Sequence, residues 1–242
     1  MAIAHVQHNQ NTVIAGTSTT VTLGAATTPG NLIVVVVTMS SNFATADGSV
    51  SDDGSNSYTQ VSGSRQSTNA RGGSGNPISV SMFYKANCAA ATNITVSTGG
   101  GNNEKLANVY VYEFSGVATA SAVDVSGGTN TGGTGQTSIG KAITLTQADD
   151  LIVAGGTCGN SSMSVSSPLG NGNSQGGDNY PSGTTFQTIV GYELDETNTG
   201  SQTYTVSFGG GTVGGCIVVA AFKKAAPATS YPDPGGMMMG MG

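Results

Sequence analysis

Two histidines, a few carboxylates and three thiols are the side chains of this sequence best equipped for chemistry. His5 and His8 are its only histidines. On a helix their spacing would bring two imidazoles over one ion, but strand alternation or coil does not converge them. A Ser-His-Asp hydrolase would have to recruit one of these two terminal residues, which is implausible.

Glu193, Asp195 and Glu196 gather at the end of a β-like run, and Glu113 occupies a comparable run earlier. Paired carboxylates can run glycoside hydrolysis. Sugar-cleaving clefts usually add flat aromatic platforms, and the chain has no Trp. A solvated strand end is therefore expected. Asp52, Asp53 and Asn56 surround a Gly turn and form a weak calcium candidate. The same letters are ordinary turn chemistry without EF-hand spacing, so no metal is assigned. Asp149-Asp150, which matches Gly30-Asn31, is read as a turn too. Cys88, Cys158 and Cys216 are odd in number, and none lies in a CxxC pair. They are expected to be free, buried thiols. No cofactor is expected.

Tyr58, Tyr180, Tyr192, Tyr204 and Tyr231 are candidate stacking surfaces for sugars or proteins. Most fall on predicted strands, where packing is the default reading. Tyr180, in a Gly-rich loop, is the expected exposed contact. Met237, Met238, Met239 and Met241 form a pliable apolar tail suited to docking on a neighbouring subunit.

The elements that must position these groups are strands. Runs rich in Val, Ile, Thr and Tyr, bounded by Gly, Asn, Asp and Ser, predict strands near 19–23, 32–39, 58–61, 78–85, 93–97 and 107–114. A second set is predicted near 142–145, 151–157, 163–166, 185–194, 202–208 and 215–222. No window has capped helical periodicity, and 86–91 allows one helical turn at most. Residues 32–37 are apolar on both faces, which predicts a central strand. Long loops are expected at 42–56, 62–76 and 168–183, and a flexible Gly/Thr-rich connection at 117–140.

The two strand sets repeat. Thr20-Val-Thr-Leu and Asn31-Leu-Ile-Val-Val recur as Ala142-Ile-Thr-Leu and Asp150-Leu-Ile-Val-Ala. Met82-Phe-Tyr-Lys recurs as Val190-Gly-Tyr-Glu, and each half closes on a strand ending in Phe, at Phe114 and Phe222. This predicts an all-β antiparallel sandwich over 1–224, with pseudo-repeats 17–116 and 137–223 and a tail at 225–242. Strands of both halves are expected to complete shared sheets, with two tandem sandwiches as the alternative.

Asn31-Leu-Ile-Val-Val, Val50-Ser-Asp-Asp-Gly-Ser-Asn-Ser-Tyr-Thr, Phe83-Tyr-Lys-Ala-Asn, Val111-Tyr-Glu-Phe-Ser-Gly-Val and Val123-Asp-Val follow one another in this order. Together they resemble a recurrent β-sandwich module of bacterial secreted and surface proteins and of phage structural proteins. The resemblance covers roughly 17–224. It implies a jelly-roll-like sandwich with display, adhesive or carbohydrate-contacting roles, and it carries no catalytic residues.

Only 8% of residues are charged, and the net charge is −6. That balance argues against a phosphate-tracking groove, so nucleic acid is not an expected partner. No run approaches the ~20 apolar residues that span a bilayer, and no Sec-type signal is legible. The expectation is a non-enzymatic bacteriophage virion protein, a capsid decoration or a fibre or spike component. It would assemble in the host cytoplasm with other virion proteins and copies of itself. The alternative is an extracellular adhesin or carbohydrate-binding module with a host-surface glycan as partner.

Overall fold

The computed structural model describes residues 2–12, 16–40, 48–69, 77–98, 105–132, 135–159, 162–166, 186–209 and 214–227. These residues form sixteen strands and no helix. The first half comprises β1 (Ala4–Thr12), β2 (Ser18–Thr22), β3 (Leu32–Ser40), β4 (Ser49–Asp52), β5 (Thr59–Gln60), β6 (Gln66–Asn69), β7 (Pro77–Lys85), β8 (Asn93–Ser97) and β9 (Lys105–Ser115). The second comprises β10 (Val123–Asn130), β11 (Ser138–Leu145), β12 (Asp150–Gly159), β13 (Ser162–Ser166), β14 (Phe186–Glu196), β15 (Gly200–Gly209) and β16 (Gly215–Phe222).

The pairing is nested. β1 pairs with β9, β2 with β8 and β3 with β7, all antiparallel. β10 pairs with β16, β11 with β15 and β12 with β14 in the same way. A long antiparallel ribbon rolled upon itself gives this nesting, so each half is a jelly-roll-like sandwich. In the first half, a sheet ordered β1-β9-β3-β7-β5, with β6 also on β7, faces the sheet β2-β8-β4. In the second, β10-β16-β12-β14 faces β11-β15-β13.

Among the described residues the expected sharing of sheets does not occur: each sheet draws its strands from one half. Rolling the ribbon uses up backbone donors and acceptors within each half. It leaves the larger sheets with a second apolar face, and the halves join through side chains there. Four layers result. Ile33, Val35 and Val37 pack with Val21, Ile94 and Val96 inside the first sandwich. Leu32, Val34 and Val36, on the other face of β3, pack against Val153, Val190 and Val218 of the second half. Ile152, Ile217 and Val219 then pack with Ile143 and Val206 inside the second sandwich. β3 is therefore central, as its two-sided apolar run predicts. The same geometry buries both faces of β9: Tyr110, Tyr112 and Phe114 toward the second half, Val109 and Val111 toward the first sandwich.

The seam also holds a polar staple. Thr38 Oγ1 lies 3.0 Å from Thr188 Oγ1, and Asn108 Nδ2 donates to Thr188 Oγ1 at 2.9 Å. All three residues are buried. At Gly155 the sheets approach so closely that a Cβ would come within 2.7 Å of Val36 Cγ1.

Four strands lie where loop, linker or unassigned chain is expected: β1, β4, β6 and β10. β10 falls in the supposed flexible connection. Its Ser126 Oγ donates to the Ser62 carbonyl at 2.8 Å, and its Asn130 Nδ2 donates to Gln66 Oε1 at 3.2 Å. Gly128 suits this contact, since a Cβ there would lie 2.9 Å from the Gly63 carbonyl oxygen. The glycines thus allow a tight clamp between the halves. Residues 86–91 hold bends and irregular chain.

Candidate functional site

Three places collect chemically capable side chains: an aromatic seam, an acidic end of the second sandwich, and the outward faces of the three-stranded sheets.

The seam contains both histidines. β1 pairs His5 with Phe114 and Gln7 with Glu113, so Val6 is an extra residue, a β-bulge. The bulge cancels the alternation that should separate i and i+3. His5 and His8 therefore share a face, with His5 Nε2 3.2 Å from His8 Nδ1. This corrects the expectation that their spacing cannot converge. Val6 is turned out and 45% exposed. His5 stacks on Tyr192 of the second half at 5.2 Å between centroids, and His8 stacks on Tyr112 at 5.3 Å. Phe114 meets His5 and Tyr192 edge-on. Burial pulls the His5 pKa down, and the neighbouring His8 adds to this.

A second bulge builds the acidic end. Asp150 faces Glu196 while Ile152 faces Glu193, so β14 carries one extra residue there. Asp195, at φ 52°, is in the left-handed region. Glu193, Glu196 and Asp150 consequently share one side, with Tyr204 among them, between the two sheets of the second sandwich. Glu196 is 3% exposed and Asp150 is fully buried, so this is an inward cluster and the solvated strand end is corrected. Burial raises the Asp150 pKa to about 6, and Asp124 raises it further, while Gln147 and Lys223 oppose the shift. Gln147 Nε2 donates to Asp150 Oδ1 at 2.8 Å, but no donor reaches Asp150 Oδ2 or Glu193 Oε2. Burial, and after it the neighbouring Glu196 carboxylate, push the Glu193 pKa up to about 7. Asn198 caps Glu196 Oε1 through its backbone N–H and Nδ2, both at 2.7 Å. The Tyr204 hydroxyl has no partner; burial raises its pKa, and the Glu196, Glu193 and Asp150 carboxylates add to this. Asp195 stands apart: with Asp149 it holds Lys224, each at 3.3 Å.

The remaining candidates are engaged within the fold. Glu113 lies in β9, whose counterpart is β16, so Lys85 rather than Glu113 corresponds to Glu193. It is fully buried and accepts from Gln7 Nε2, the Thr28 N–H and Asn31 Nδ2 at 2.6–2.7 Å. Asp52 accepts from the Gly54 and Asn56 N–H groups, Asn56 Nδ2 and the Tyr58 hydroxyl at 2.8–3.0 Å. Asp53 accepts from the Thr92 and Asn93 N–H groups and from Asn93 Nδ2. Donors therefore occupy the oxygens of the calcium candidate. Among the described residues no three His, Cys, Asp or Glu side chains form a metal cluster. All three cysteines are buried thiols outside any disulfide, and Tyr192 and Tyr204 are core residues. Tyr180, Tyr231, Met237, Met238, Met239 and Met241 lie outside the described residues.

The outward faces are the third place. Ser18, Thr20 and Thr22 of β2 meet Ser97, Thr95 and Asn93 of β8 through side-chain hydrogen bonds of 2.8–2.9 Å. Ser49 and Ser51 of β4 extend this ladder. On the opposite flank Ser138, Gly140, Ala142 and Thr144 alternate outward beside Ser201, Thr203, Thr205 and Ser207. None of these residues is charged. A groove of about 150 Å³ opens near Ser57, Thr59, Tyr84, Lys85 and Thr119, at the edge of the seam.

No protein-family model matches the chain, and no curated protein matches it significantly. A solved structure with some likeness is "Crystal Structure of the STIV MCP", a viral major capsid protein. It is 8% identical, with 92% of this chain and 96% of that chain covered, at a TM-score of 0.23. A likeness at that level carries no weight for function, which must rest on the faces and sites described above.

Proposed function

We propose that this chain is a bacteriophage virion structural protein that acts by assembly and surface display, as a capsid decoration or a fibre or spike component, and not as an enzyme. The observation that carries this reading is the pair of outward faces on β2-β8-β4 and on β11-β15, tiled with neutral Ser, Thr, Asn, Gly and Ala, with the Asp53 carboxylate at the rim of the first. Such faces offer many neutral hydrogen-bonding groups already held by strand pairing, so little side-chain entropy is lost when a partner covers them. The Asp150, Glu193 and Glu196 carboxylates point inward between sheets, which suits a structural role better than attack on a substrate. Jelly rolls recur in capsid and lectin domains, an analogy of fold alone.

The lectin-like alternative has weaker support. Tyr58, Tyr84, Tyr110, Tyr112, Tyr192, Tyr204, Phe83, Phe114, Phe208 and Phe222 are buried or half-buried, and the large apolar side chain exposed among the described residues is Val6. A sugar ring would find little to stack on.

Gradient-purified particles from infected cells test the reading. The chain should co-migrate with particles at a fixed copy number. A stable lone monomer absent from every particle fraction would overturn the proposal. Strong, selective signals on a glycan array would move the assignment to the alternative.

A further inference from the structure

We infer that His5 and His8 form a two-histidine binding site for a divalent first-row transition metal, with Cu²⁺ held most tightly, on the bulged first strand at the seam between the halves.

The geometry has three parts. The first is the spacing of the nitrogens. Two imidazoles on one tetrahedral ion, with nitrogen–metal bonds of 2.0–2.1 Å, place their nitrogens about 3.3 Å apart and their ring centroids about 5.2 Å apart, whereas a straight N–H···N hydrogen bond of the same length sets the centroids about 5.5 Å apart. The observed separations are 3.2 Å between nitrogens and 5.1 Å between centroids. Nitrogens at this separation can both bind one ion placed beside the pair.

The second part concerns which nitrogens are available. His5 Nε2 and His8 Nδ1 face each other. A neutral imidazole carries its proton on one nitrogen and keeps a lone pair on the other. With the proton on the far nitrogen of each ring, both facing nitrogens offer their lone pairs.

The third part is rigidity. Tyr192 and Phe114 flank His5, and Tyr112 stacks on His8. Rings held on aromatic walls lose little freedom when they bind an ion. The Val6 bulge, which costs a ladder pairing and exposes an apolar side chain, is what brings the two nitrogens together.

No third His, Cys, Asp or Glu joins the pair among the described residues. Both rings are half-buried, so water completes the shell. Two imidazoles without carboxylates select Cu²⁺, Ni²⁺ and Zn²⁺ over Ca²⁺ and Mg²⁺, with Cu²⁺ strongest.

The test titrates the full chain with CuSO₄, NiCl₂, ZnCl₂ and CaCl₂ by calorimetry, beside His5→Gln and His8→Ala. The expected result is one Cu²⁺ per chain at micromolar affinity, weaker Ni²⁺ and Zn²⁺ binding, and no Ca²⁺ binding. Each variant should weaken Cu²⁺ binding by about tenfold or more, because losing one ligand removes the chelate advantage. Electron paramagnetic resonance of the Cu²⁺-loaded wild type should show coupling to two imidazole nitrogens, a readout that does not depend on variant folding. Coupling to one nitrogen or none, or equal affinity in folded variants, would overturn the site.

Discussion

Asp150→Asn should make the protein more stable at neutral pH and leave it nearly unchanged in acid. Asp150 is fully buried at the start of β12, and no donor reaches its Oδ2. Its pKa rises from 3.8 to about 6, chiefly through burial and then through Asp124. Holding it ionised in the fold therefore costs about 3 kcal/mol relative to the unfolded chain. The folded pKa lies above the unfolded one. Asp150 thus contributes its full stability below about pH 4 and loses it as the pH rises through about 6. Asparagine has the same shape and no charge. It can still accept from Gln147, and its Nδ2 offers Asp124 a donor. The first half already uses this solution, since Asn31 occupies the equivalent position. Urea unfolding of both proteins at pH 4, 5, 6, 7 and 8 is the assay. The difference in unfolding free energy should be near zero at pH 4 and grow to about 2–3 kcal/mol in favour of the variant at pH 8. Glu193 titrates in both proteins, so the difference isolates Asp150. A difference that is flat with pH, or that favours wild type at pH 8, would refute the reasoning.

Three further outcomes follow from the buried polar groups and the close sheet approach. Glu113→Ala strands three donors, on the half-buried Gln7 and Asn31 and on Thr28. It should cost about 1–3 kcal/mol in denaturant unfolding, and Glu113→Gln less. Thr188→Val leaves Asn108 Nδ2 without its acceptor in the seam, with an expected loss of about 1–3 kcal/mol. Gly155→Val drives a methyl group into Val36 and should cost about 1–3 kcal/mol, with partial rescue by Val36→Ala in a double-mutant cycle.

The architecture was largely legible because β-branched runs and turn residues are local signals. β3 announced its central place by being apolar on both faces. The repeat was legible down to the turns: Gly30 and Asp149, matched in sequence, are both left-handed, at φ 95° and 65°. β4, β6 and β10 were not legible, since serine, glycine and asparagine carry little strand propensity and these strands exist through their partners. β10 becomes a strand because β16 offers it an edge.

The candidate sites escaped for one physical reason. Sequence fixes which side chains are present and, through strand period, which face each should take. It determined here that the chain is all-β and sparsely charged, with matching strand and turn motifs in its two halves. An i, i+3 pair on a strand should point to opposite faces. His5 with His8, and Glu193 with Glu196, break that rule because a single extra residue, at Val6 and at Asp195, shifts the register. A bulge arises when a partner strand's ladder and the packing behind it favour an added residue, which no local pattern records. Only the tertiary structure decided that the halves stack back to back, that the carboxylates turn inward, and that the two imidazoles meet.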